Sequence, residues 1–124
     1  MNKRILTVVF GLNRGGTERS AQNFAIGYKE MGFDSRVLYT KEIGINPLYR
    51  KKILNKKGIP VYYLKNTKHK FSLKQWRPDI IHIHSHAVSV TDFSKIKKMY
   101  PNAKRLKNKI PAILKYLTPI IKLV

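Results

Sequence analysis

The sequence predicts an α/β protein: a Rossmann-like parallel sheet flanked by helices. Three observations predict it. The run Ile5-Leu6-Thr7-Val8-Val9-Phe10 is apolar almost throughout and rich in β-branched residues, as in a strand buried on both faces. A loop with three glycines, Gly11-Leu12-Asn13-Arg14-Gly15-Gly16, follows it and leads into a helical pattern. A second buried-type run, Ile80-Ile81-His82-Ile83, comes after further strand and helix patterns.

The first helix carries Ala21, Phe24, Ala25, Tyr28 and Met31 on one stripe. Thr17 is its expected N-cap, and Gly32 stands where a left-handed C-terminal residue is wanted. A second strand spans Ser35 to Tyr39, close behind the helix, as in a βαβ unit. Pro47 suits a first helical position, with helix from Leu48 to Lys57 ended by Gly58. Its apolar side, Leu48, Ile53 and Leu54, is narrow. Ile59 to Leu64 reads as a third strand, with Pro60 tolerated near its start. Asn66 to Lys70 reads as a basic loop. Phe71 to Trp76 reads as a short helix sending Phe71, Leu73 and Trp76 to one core, and Arg77-Pro78-Asp79 breaks it. Thr91-Asp92 can cap a helix from Phe93 to Tyr100.

The glycine loop is a ligand candidate. A helix start offers free N–H groups and a positive dipole end, and glycine lets a ligand approach the backbone. Two nucleotide motifs are excluded. Asn13 stands where a dinucleotide fingerprint needs its second glycine, and no Gly-Lys-Ser/Thr is present.

The 124 residues suit one domain with a modest core. The absence of cysteine rules out disulfides and thiolate metal sites and suits a reducing cytoplasm. The first apolar run is too short for a secretory signal, and no run reaches transmembrane length. The net charge of +20 attracts nucleic acid, anionic lipid or anionic substrates. The 19 lysines against 7 arginines point to diffuse attraction rather than base reading, so no specific nucleic acid is expected. Lysine-rich solvated faces account for the charge equally well.

In a strand, His82, His84 and His86 share one face, and Ile81, Ile83 and Ser85 the other. His84 and His86 fall where the strand leaves the sheet, at the same edge as Gly15-Gly16. His82, one step deeper, reads as a hydrogen-bonded core residue. A metal site lacks further ligands at a suitable spacing.

Gly15-Gly16-Thr17-Glu18-Arg19, the helix with Asn23 and Ala25, the Met31–Val37 exit and Pro78-Asp79-Ile80-Ile81-His82-Ile83-His84 together resemble the N-terminal half of glycosyltransferase family 4, over about residues 4 to 88. The resemblance implies a GT-B transferase, with two Rossmann-like domains and the active site between them. It implies that this half mainly holds the acceptor. The glycine loop then lies beside donor phosphates and acceptor, and His84 contacts the donor sugar. Catalysis is retaining and without metal in most members, and no cofactor is implied beyond the nucleotide-sugar as substrate. The family's two glutamates eight residues apart have no counterpart here.

The expectation is therefore a retaining, nucleotide-sugar-dependent glycosyltransferase of polysaccharide or glycolipid biosynthesis, present as an N-terminal fragment inactive alone. It would be cytoplasmic or peripheral on the inner membrane face. His84 is the candidate catalytic residue. Arg14, Gly15, Gly16 and His86 are the candidates for binding nucleotide-sugar and a glycan or lipid-linked acceptor. Residues 1–104 form the domain. Residues 105–124 are its fifth strand, with Lys109–Leu114 as the family's next strand, or a truncated or out-of-frame tail; a basic-apolar surface anchor ranks last. The alternative function is a small basic module that binds nucleic acid or an anionic membrane surface.

Overall fold

Ile5, Leu6, Val8 and Val9 are all fully buried, which a strand achieves only with layers packed on both faces. In the computed structural model, which describes residues 3–42, 46–84, 90–101 and 103–107, they form β1 (Arg4–Val9) at the centre of a five-stranded sheet. The other strands are β2 (Asp34–Tyr39), β3 (Val61–Tyr63), β4 (Ile80–Ile83) and β5 (Lys104–Lys107). Their order is β3-β2-β1-β4-β5, and every pairing is parallel. The expected α/β class and Rossmann-like parallel sheet are what the chain forms.

Alternation along β1 sorts the core. Leu6 and Val8 join Ile81 and Ile83 on one face, under α3 (Thr67–Trp76) and α4 (Val90–Met99), through Leu73, Trp76 and Ile96. Ile5 and Val9 face α1 (Gly16–Glu30) and α2 (Tyr49–Lys56), through Tyr28, Ala21, Ala25 and Leu54. Gly32 and Gly58 end α1 and α2 at φ of +92° and +76°, where glycine avoids a Cβ clash.

Several boundaries differ from the sequence reading. Thr17 lies inside α1. Gly15 is the N-cap, because the Asn13 side chain accepts the Gly15 N–H at 2.9 Å and turns the chain early. Pro47 precedes α2, which starts at Tyr49. The third strand is shorter than expected. The supposed basic loop is the first turn of α3, where Asn66 caps the His69 N–H at 3.1 Å. That register puts Leu73 and Trp76 inside but leaves Phe71 63 % exposed, since residues two apart on a helix lie on different faces. α4 begins at Val90, so Asp92 falls in its first turn. The fifth strand comes at 104–107, ahead of the apolar Lys109–Leu114 run, which lies outside the described residues.

Candidate functional site

Parallel strands end together, so the loops after β1 and β4 emerge on one edge. β1 and β4 are hydrogen-bonded neighbours, with Thr7 opposite His82 and Val8 opposite Ile83. From β1 the chain first builds outward through β2 and β3, then returns to place β4 on the other side. The strand order reverses between β1 and β4, and in open α/β sheets such a reversal opens the crevice where ligands bind. Gly11–Gly16 leaves β1 and His84 leaves β4 at that reversal. The structure thus brings the two predicted stretches to one rim.

The loop is organised by a residue that the sequence reading passed over. Arg50 of α2 is 6 % exposed. Its backbone N–H donates to the Leu12 carbonyl at 3.0 Å. Its Nε donates to the Asn13 carbonyl at 2.9 Å, and one terminal nitrogen to the Arg14 and Gly15 carbonyls at 3.3 and 3.4 Å. The other terminal nitrogen reaches the Gln22 side chain at 2.9 Å. Burial lowers the guanidinium pKa, with Tyr49 opposing and Arg19 adding to the shift, but arginine stays charged. Across a trans peptide the C=O and the next N–H point in opposite directions. With the carbonyls of residues 12–15 turned to Arg50, the Gly16 N–H points away from it.

The two glycines differ. A Cβ at Gly15 would collide with the Glu18 carboxylate, which folds back over it, whereas a Cβ at Gly16 would meet nothing within 4 Å. Glu18 is 8 % exposed, in the first turn of α1, where a helix start favours an anion. So the crowding at Gly15 comes from the protein's own carboxylate, and the open backbone is at Gly16. Arg14 is exposed and lays its guanidinium over the Tyr49 ring, 5.0 Å from its centroid.

The histidines form a packed row under α1. His82 is 1 % exposed, and its Nδ1 lies 2.7 Å from the Tyr28 hydroxyl. Burial, with help from His84, pushes the His82 pKa down to about 4, so the ring is neutral at pH 7. His84 is 6 % exposed, its ring centroid 4.5 Å from that of His82 and 5.8 Å from that of Phe24. Its backbone N–H continues the sheet to the Val8 carbonyl at 2.9 Å. It therefore reaches the rim as an edge tucked beneath α1 rather than as a ring standing in the crevice. His86 lies outside the described residues.

Among the described residues, no group of three or more His, Cys, Asp or Glu side chains could hold a metal ion, and no helix is long and apolar enough to cross a membrane. No family model, curated protein or solved structure matches the chain.

Proposed function

We propose that this chain is the acceptor-side Rossmann-like domain of a retaining, nucleotide-sugar-dependent glycosyltransferase, of GT-B type, that builds a polysaccharide or glycolipid. One observation carries the reading: the glycine loop and the end of the histidine strand are neighbours at the strand-order reversal, and Gly16 is the open stretch of that rim. In this reading the Gly16 N–H donates to a sugar hydroxyl oxygen. The Glu18 carboxylate already supplies negative charge at the helix start, so the loop suits hydroxyl groups of an acceptor better than a second anion. The edge of His84 lines the sugar side, and a partner domain holds the nucleotide. No cofactor is needed beyond the nucleotide-sugar.

The acceptor would be reached from the cytoplasmic face of a membrane. In support, α3 presents exposed Phe71 beside Lys68 and Lys70, a basic-apolar face suited to anionic lipid. The test is an amide-resolved NMR titration of the chain with nucleotide-sugars and with oligosaccharide acceptors. The Gly15, Gly16 and Thr17 amides should shift with a sugar ligand, and less in His84→Gln. No shift at those three amides across the set would sink the proposal.

A further inference from the structure

The opposite, amino-terminal rim of the sheet holds a cavity of about 620 Å³, a volume suited to a small organic molecule. Arg4 lines it from β1 and Lys74 and Arg77 from the end of α3; Met99, Tyr100 and Ala103 lie on the α4–β5 side. Three cations thus meet one carboxylate, Asp79. Asp79 is already engaged: it accepts the Arg4 N–H at 2.9 Å and the Arg4 guanidinium at 3.4 Å. Lys74 in the last turn of α3 and Arg77 at its C-cap both line the cavity.

Arg77 is the unexpected residue. It is the one non-glycine described residue at positive φ, with φ 54° and ψ 88°, at the C-cap of α3. At the ends of α1 and α2 the positive-φ residue is a glycine, Gly32 or Gly58, one place beyond the C-cap; at the end of α3 it is Arg77, the C-cap itself. A side chain there costs backbone strain that glycine would avoid, and the following Pro78 restricts the position further. Attraction between a cation and the helix C-terminus is already available from Lys74, so it does not require arginine at a strained site.

We propose that this amino-terminal cavity binds a small phosphorylated organic molecule, its phosphate held by Lys74 and Arg77 and its apolar body against Met99, Tyr100 and Ala103. Among the described residues neither Lys74 nor Arg77 pairs with a carboxylate, so the two cations match a phosphate dianion, and the arginine fork suits its oxygens. The site lies on the far rim from the glycine loop and stands independently of the sugar-transfer reading.

The experiment is calorimetric titration of the full chain with adenosine monophosphate, with adenosine and inorganic phosphate as the two halves of the probe. Saturable binding is expected for adenosine monophosphate, at least tenfold tighter than for either half. Arg77→Gly should weaken it at least tenfold while the thermal midpoint rises, because the strain is relieved. Lys74→Gln should weaken it severalfold. Lys56→Gln removes one exposed positive charge from α2 and should leave affinity unchanged. The proposal is overturned by no saturable binding, by Arg77→Gly binding as well as wild type, or by Lys56→Gln losing as much affinity as Arg77→Gly.

Discussion

Acid should destabilise this protein through His82 before Asp34 and Asp79, whose values are lowered, take up protons. The ring is buried against Tyr28, Phe24 and His84, and its pKa falls from the ordinary 6.5 to about 4. Burial keeps Tyr28 a neutral phenol, its hydroxyl 2.7 Å from Nδ1; protonating the ring puts a charge among buried aromatic rings beside His84, which is what burial disfavours. The sign follows. Between pH 6.5 and 4 the unfolded chain binds a proton that the folded one refuses, so stability falls with falling pH in that window. The full shift is worth about 3 kcal/mol, of which about 2 kcal/mol is lost between pH 7 and pH 5. Asp34 and Asp79 have lowered values, so their contributions disappear only below about pH 4. His69 shifts in the same direction as His82, through burial and Lys51, but is present in both proteins compared and cancels. The assay is urea unfolding of wild type and His82→Gln at half-unit pH steps. With a slope of about 2 kcal/mol/M, the wild-type midpoint should drop by about 1 M more than that of the variant between pH 7 and 5. Parallel pH profiles would refute the assignment.

Three further outcomes are expected. Arg50→Met should cost about 2–4 kcal/mol in chemical unfolding, since it strands the Asn13 and Arg14 carbonyls, while the Gly15 carbonyl keeps the Arg19 N–H; Arg50→Lys should recover little, because an ammonium lacks the fork that reaches both. Asn66→Ala should cost about 1 kcal/mol by the same measurement, through loss of the α3 cap. Gly15→Ala should destabilise by no more than about 1 kcal/mol, because the carboxylate in its way ends a flexible side chain, and Glu18→Ala in the same chain should restore most of it; additive losses in that double-mutant cycle would show that the carboxylate is not what crowds position 15.

What the sequence made legible follows from where single residues are decisive. Ile5–Val9 and Ile80–Ile83 could be read as interior strands because a parallel sheet buried on both faces demands nearly continuous apolar runs, broken here only by Thr7 and His82. Gly32 and Gly58 marked helix ends because positive φ selects glycine. Arg50 was not legible in Arg50-Lys51-Lys52, which resembles a solvated face. Its role depends on carbonyls 35 to 37 residues earlier, a tertiary pairing that no local pattern encodes. One signal was present: Arg50 stands four residues before buried Leu54, on the same narrow stripe. Phe71 misled because apolar character suggested a core position, whereas the Asn66 cap fixed a helical register that points it outward. The early start of α1 was hidden because Asn13 bonds its own loop, two residues on.

Arg50 also explains how the loop keeps one shape. A glycine-rich turn has many accessible conformations, and fixing them costs entropy. A buried guanidinium is expensive unless its hydrogens are matched, and here three loop carbonyls and Gln22 match them. Each need limits the other: the loop cannot relax without stranding the charge, and the charge cannot stay buried without the loop. Because peptide groups are planar and trans, gathering the carbonyls on the Arg50 side sends the Gly16 N–H to the opposite one. The loop's donor is thereby oriented before any ligand arrives, by a contact beneath the rim, and a binding partner would not have to order the turn itself.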